Sequence, residues 1–259
     1  MTTNEHTKTY RTTARAVGVL FLAGMVVYIV GNVLTQSILA TPDHLATVSA
    51  NSALLASGAM LMLMAAAFDA AHGVLMLPVL KHHNERIAFG YLGARIVDAV
   101  LLAVGVVFLL LQIPLGREYL NAVSDASSLQ ALSTLSIQAH LYAYEIGMIA
   151  VGLAGLLLCS MFYRATLVPR LVAVWGLAGY ALLLSGSVLQ VVGFDLRLIH
   201  TIPGGLWELF IGVWLIVKGF NASAHAFDAG TTDVDEAHDL RAPVGQHPDR
   251  LVPTGGAAG

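Results

Sequence analysis

Long runs without a charged residue alternate along this chain with short segments that hold most of its lysines and arginines. The charge-free stretches run from Ala16 to Pro42, Leu45 to Phe68, Ala99 to Gly116, Ile146 to Tyr163 and Leu171 to Phe194. A sixth, Ile199 to Val217, is interrupted only by His200 and Glu208. About 20 apolar residues in helical form cross the hydrocarbon core of a bilayer. The pattern therefore predicts six transmembrane helices, near residues 15–37, 53–80, 88–113, 134–162, 170–192 and 199–218, joined by short connections. The expected fold class is all-α, an integral membrane bundle over residues 1–220. From residue 221 to 259 the pattern changes to six acids, two arginines and three histidines among many Gly, Ala and Pro. Such a segment lacks the apolar surface to order itself, and a disordered acidic tail is expected there.

Composition sharpens this picture. With 57% hydrophobic and 11% charged residues among 259, the chain is far from the balance of a soluble domain. Its thirteen basic residues set the orientation, because lysine and arginine beside a span stay in the cytoplasm. Ten of them fall in the N-terminal segment (Lys8, Arg11, Arg15), loop 81–87 (Lys81, Arg86), loop 163–170 (Arg164, Arg170) and the stretch from Lys218 onward (with Arg241 and Arg250). The alternate loops hold only Arg117 and Arg197. Both termini are expected in the cytoplasm, with the chain a multi-pass protein of the cytoplasmic (inner) membrane. The basic start resembles a signal peptide, but its apolar run is too long and Ile38 spoils a small-residue cleavage site, so the first helix is expected to be retained.

Several classes of chemistry lack their signatures. Cys159 is the single cysteine, which removes intrachain disulfides. No nucleotide-binding loop, nucleophile elbow, HExxH motif or basic patch suited to nucleic acid is found. No cofactor and no metal site are expected, and oligomeric state is open.

Two stretches carry a family resemblance. "YRATLVPRLVAVWGLAGYALLL" (163–184) and "ELFIGVWLIVKGF" (208–220) resemble the bacterial membrane-protein family known as domain of unknown function 4386. The Pro169-Arg170 pair, the Trp175-Gly176 pair and the ending from Trp214 to Phe220 are the most specific points, and "GARIVDA" (93–99) is similar at Arg95. The resemblance covers roughly residues 12 to 220. It implies a six-helix integral membrane protein and brings no activity or catalytic residue with it.

The candidate chemistry lies inside the spans. In "AAAFDAAHGVLML" (65–77) Asp69 and His72 interrupt an apolar helix. At 1.5 Å of rise per residue, depth can be counted from the basic residue at the cytoplasmic end of each span. Asp69 lies 12 residues from Lys81 and His72 nine; Arg95 lies nine from Arg86 and Asp98 twelve; Glu208 lies ten from Lys218. All five fall about 13 to 18 Å deep, near the middle of a core about 30 Å thick. The second and third spans form a hairpin about Asn84, each offering an i, i+3 pair. The expected cross-pairing joins His72 to Asp98 and Arg95 to Asp69. Farther out lie Asn32, Gln36, His140, Glu145 and Gln190, with Ser185 and Ser187 nearby. They are read either as an outward-opening cavity or as interhelical hydrogen bonds.

The midplane layer does not balance. Three carboxylates (Asp69, Asp98, Glu208) face one arginine. An ionisable group at that depth costs roughly 2.5 to 3.5 kcal/mol to insert and is normally paired. A held proton, a protonated His72 or a bound cation would each restore balance. Glu208, alone on its helix, is the expected proton holder. Three functions follow. The first is a proton- or cation-linked small-solute transporter or channel subunit, with a small molecule, proton or cation as ligand and the bilayer as surroundings. The second is an intramembrane enzyme acting on lipid, conceivably metal-dependent through Asp69, His72 and Asp98, a reading that places Arg95 awkwardly beside the metal. The third is a structural or partner-binding subunit, with small-residue seams such as Ala139-Ala143-Gly147. The first is favoured.

The orientation is tested by a reporter enzyme that works only outside the cytoplasm. Joined after Gly259, or placed in loop 81–87 or 163–170, it is expected to stay silent; activity at these positions inverts the topology.

Overall fold

The computed structural model describes residues 3–121, 126–196 and 198–221. The expected disordered tail, apart from Asn221, lies outside the described residues. Among the described residues eight α-helices succeed one another: α1 (Thr3–Leu39), α2 (His44–Ala50), α3 (Ser52–His83), α4 (Glu85–Leu110), α5 (Gln112–Asn121), α6 (Ala126–Arg164), α7 (Arg170–Val191) and α8 (Ile202–Val217). A 3-10 turn, Ile199–Thr201, leads into α8. Six segments are long and apolar enough to cross a membrane: Arg11–Leu39, Ser52–His83, Glu85–Asn121, Ala126–Arg164, Arg170–Val191 and Ile199–Val217. In hydrocarbon every backbone N–H and C=O must find its partner within the protein, and a helix does this within one segment. The charge-free runs and the helices therefore coincide.

The spans form a ring. α1 packs on α3, α3 on α4, α4 on α6, α6 on α7 and α7 on α8, and α8 returns to α1. One end of the ring, the terminal face, carries Arg11, Lys218, the Asn84 hairpin and loop 165–169. The other, the distal face, carries α2, α5 and residues 192–196. Six helices in a ring do not meet at its centre, so side chains reach into it. Tyr28 of α1 stacks on Tyr144 of α6 from opposite sides, with ring centroids 5.8 Å apart. Toward the terminal face, Trp207 of α8 meets Phe21 of α1 and Phe162 of α6 at 6.4 and 6.5 Å.

Apolar helices gain little by hiding from lipid that is equally apolar, so their association rests on close backbone approach at small residues. Gly31 and Gly58 form such a seam in the distal half: a Cβ on either would lie 2.7 or 2.8 Å from the other's carbonyl oxygen. In the terminal half, a Cβ on Gly18 would lie 2.5 Å from the Gly212 carbonyl of α8. α1 is thus bound to α3 at one end and to α8 at the other. Gly176 of α7 makes room for Trp207, whose buried Nε1 donates to the Val172 carbonyl at 2.7 Å. This gives the Trp175-Gly176 pair a packing role.

Two connections are more structured than expected. The segment between the first two spans holds α2, and the third helix turns at Leu111 and continues as α5. Both are short and polar, without the apolar length that marks a span. Pro114 sits in the first turn of α5, where the missing N–H has no helical partner to lose. His44 of α2 and Gln112 of α5 both bond Ser133 of α6. Beneath them Ile38, Val48, Leu55, Met62 and Leu109 close the distal end of the core. α6 also begins at Ala126, ahead of the expected residue 134, and α1 at Thr3. At the terminal face Asn221 donates through its backbone and side chain to the carbonyls of Leu167 and Thr166, at 2.9 and 2.8 Å.

Gly176→Ala places a methyl group 2.5 Å from Cys159 Sγ and 2.6 Å from the Trp207 ring. It is expected to lower stability in detergent by about 1–3 kcal/mol. Gly93→Ala, whose Cβ meets nothing within 4 Å, is expected to be neutral or to stabilise by up to about 1 kcal/mol. Thermal unfolding of both variants checks the pair.

Candidate functional site

The site is built at the α3–α4 hairpin. Counted outward from Asn84, residue 73 stands level with residue 95, and Gly73 lets the helices close there: its Cβ would lie 3.1 Å from that of Arg95. Arg95 is buried. Its Nη2 bonds Asp69 Oδ1 at 2.8 Å, and its Nη1 lies 3.5 Å from Asp98 Oδ2. The expected pairing of Arg95 with Asp69 is therefore present. That of His72 with Asp98 is not: His72 Nδ1 shares a hydrogen bond with the Tyr91 hydroxyl at 2.5 Å. Geometry explains the difference. Three residues advance a helix by about 300°, so Asp98 points about 60° away from Arg95 around α4, far enough to leave α3 and face α6. There a Cβ on Gly147 would lie 3.4 Å from Asp98 Oδ1. Asp98 is fully buried, with neither oxygen hydrogen-bonded, and the guanidinium is the cation beside it.

Glu208 joins this layer from α8. One carboxylate oxygen accepts a hydrogen bond from the Tyr180 hydroxyl of α7 at 2.8 Å. Tyr91 and Tyr180 are partners that charge counting missed, although both could have been found. Tyr91 precedes Arg95 by one turn on the same face, and Tyr180 lies ten residues from Arg170 as Glu208 lies ten from Lys218. Aromatic rings pack around the layer, with Phe21 on His72 at 4.2 Å and Tyr180 on Trp207 at 5.4 Å.

A cavity of about 420 Å³ occupies the ring centre from this layer toward the distal face. Asp69, His72, Arg95 and Glu208 are in its wall, and Phe21, Tyr28, Tyr144, Met148, Leu183 and Gly205 are among the residues around them. Asp98 stands behind Arg95 and off the wall. The Asp69 side chain remains 29% exposed, against 6% for Arg95 and none for Asp98. Asp69 and Glu208 are therefore the carboxylates that a ligand could reach.

None of Asn32, Gln36, His140, Glu145 and Gln190 is on the wall of this cavity. Asn32 is half-buried and Gln36 exposed on α1. His140 Nδ1 bonds the Gly105 carbonyl at 2.9 Å. Glu145 and Gln190 do come together, Gln190 Nε2 donating to Glu145 Oε1 at 3.0 Å. His200, which sequence reading noted only as an interruption, completes their cluster. Its Nε2 lies 3.7 Å from Glu145 Oε2 and 3.3 Å from the Ser187 hydroxyl. Ser185 is exposed and bonds backward within α7.

Comparison with known proteins identifies the chain by family. The model of the family described as Domain of unknown function (DUF4386) matches residues 16–219, and the chain belongs to that family. No curated protein and no solved structure matches it.

Arg95→Ala strands Asp69 and Asp98 in an apolar interior and is expected to cost about 3–5 kcal/mol, whereas Arg117→Ala, in exposed α5, should change stability by less than about 0.5 kcal/mol. Adding Asp69→Ala to Arg95→Ala is expected to recover part of the loss. Strictly additive losses in detergent unfolding would contradict the ion pair as an energetic unit.

Proposed function

We propose that this member of the DUF4386 family takes up a proton or a small cationic solute in its intramembrane cavity, and works as a proton- or cation-linked transporter or channel subunit. The reading is carried by two reachable carboxylates, Asp69 and Glu208, converging on one cavity whose permanent cation, Arg95, is already engaged. Most of the wall is apolar, and such surroundings penalise unbalanced charge. A proton or a cation in the cavity relieves the excess. The cavity volume of about 420 Å³ falls within the range of about 300–1,000 Å³ common for small-molecule sites. The basic bias of the terminal face supports placing that face in the cytoplasm and the chain in the cytoplasmic membrane.

The metal-dependent alternative has less to draw on. Among the described residues no group of three or more His, Cys, Asp or Glu side chains is gathered as a metal site, and the guanidinium stands between the two aspartates.

Glu208→Gln keeps an oxygen that can accept from the Tyr180 hydroxyl while removing the titratable group, so the variant is expected to fold normally. In reconstituted vesicles it should abolish pH-dependent flux. Infrared difference spectra between pH 5 and 9 should show a protonated carboxyl band in the wild type that is lost in the variant. Normal flux in Glu208→Gln removes Glu208 from the mechanism, and an unchanged band assigns the proton to another carboxyl.

A further inference from the structure

The walls of the cavity also indicate how it is reached. α1 is held to α8 at Gly18 and Gly212 in the terminal half and to α3 at Gly31 and Gly58 in the distal half. Its closest backbone approach thus passes from α8 in the terminal half to α3 in the distal half. Two positions facing the cavity between these helices carry no side chain. A Cβ on Gly205 of α8 would meet nothing within 4 Å, and one on Gly24 of α1 would meet only the Phe68 Cβ of α3, at 3.8 Å. Ile29 of α1 and Leu206 and Leu209 of α8 line the cavity and are also 52%, 52% and 47% exposed. A side chain that both lines a cavity and faces outward stands at its mouth. This mouth is apolar and lies within the membrane-crossing length of both helices, so lipid is what it faces.

We propose that the cavity opens sideways between α1 and α8 into the distal half of the bilayer, and that its ligand is a single-chain amphipath with a cationic amine head. The head sits at Glu208 and Asp69 and the chain runs out past Leu206 and Ile29. This names the ligand class of the carboxylate site and rests on that reading. The charge follows from the donors and acceptors in the wall. The guanidinium of Arg95 is committed to Asp69 and Asp98, and Tyr180 occupies one oxygen of Glu208. An anionic head would meet two carboxylates, Asp69 and Glu208, and one arginine already engaged. An ammonium finds in Glu208 a carboxylate with no cation of its own. The chain follows from the apolar mouth, because a freely soluble amine gains nothing from it and an alkyl chain gains contact along its length.

The test uses the full chain in phosphatidylcholine nanodiscs, with empty nanodiscs as the blank for partitioning. The probes are dodecyltrimethylammonium, tetramethylammonium and dodecanol. Dodecyltrimethylammonium is expected to bind saturably, at least about tenfold more tightly than tetramethylammonium, with no competition from dodecanol. Glu208→Gln and Gly205→Phe should each weaken it by at least about tenfold. The second variant puts a ring into the mouth at a position whose Cβ is unobstructed, and thermal unfolding close to wild type establishes that both variants fold. Equal, Glu208-dependent binding of both cations would overturn the amphipath and leave the cation site standing. Competition by dodecanol would overturn recognition of the charge, and undiminished binding in Gly205→Phe the sideways route. Binding of neither cation would overturn the ligand class and remove the support for a cationic solute, leaving proton uptake to be judged by the flux and infrared measurements.

Discussion

A guanidinium held at mid-depth in an apolar bundle restricts where its neighbours can be. Arg95 must be met by carboxylates, since a lone charge there would not be tolerated, and it is met by Asp69 from α3 and Asp98 from its own helix. The register of the hairpin is fixed by the first contact. Gly73 permits it by letting α3 approach the Arg95 side chain, and Gly147 leaves space on α6 for Asp98. Three consecutive spans are therefore aligned around one residue, and a slip of one position in any of them would separate charges that are costly to separate.

The same contact leaves the ring uneven. Terminal to the charged layer, the centre is filled by the rings of Phe21, Trp207, Phe162 and Phe220, whereas on the distal side the described residues set Tyr28 against Tyr144 across the ring. What remains there is the cavity, bounded by Tyr28 and Tyr144 where they stack from opposite walls. Because the Arg95 side chain is only 6% exposed and Asp98 fully buried while Asp69 and Glu208 face the open space, the network has a structural side and a reachable side. A chemical event at Glu208 can therefore leave intact the contacts that set helix register, whereas one at Asp69 acts directly on the Arg95 pair.

Helix count and the shared level of the charged layer were legible because both depend on length alone: charge-free runs give the spans, and counting residues along each helix gives the level. Contact between Arg95 and Asp69 was legible from hairpin symmetry. Azimuth was harder. The turn of Asp98 from α3 to α6 depends on which helix stands on the far side of α4, and hydrophobic periodicity is mute when every face is apolar. Tyr91 and Tyr180 were passed over because neutral hydroxyls leave no mark in a count of charges. The amides and His140 were grouped by depth with Glu145, but equal depth around a ring does not bring residues to one wall. α2 and α5 escaped because short polar helices carry no span-length signal of their own.

The gap between α1 and α8 raises a mechanical question, because a helix unsupported on one side would be expected to lean and close it. α8 is held from the opposite side. Its backbone at Gly204 meets α7 at Gly179, where a Cβ would lie 3.1 Å from the Gly204 backbone. Its leading turn is pinned by His200, whose ring fills the space that the missing side chain of Gly186 provides and whose Nε2 faces Ser187 and Glu145. Gln190 bonds both Glu145 and the backbone N–H of Leu196, tying in the segment before the turn. The distal polar cluster, which contributes nothing to the cavity wall, thus anchors the helix that carries Glu208 to α6 and α7. With α1 anchored to α3 and α8 to α7, neither helix at the mouth depends on the other above Gly212, and the opening can persist without either being loose.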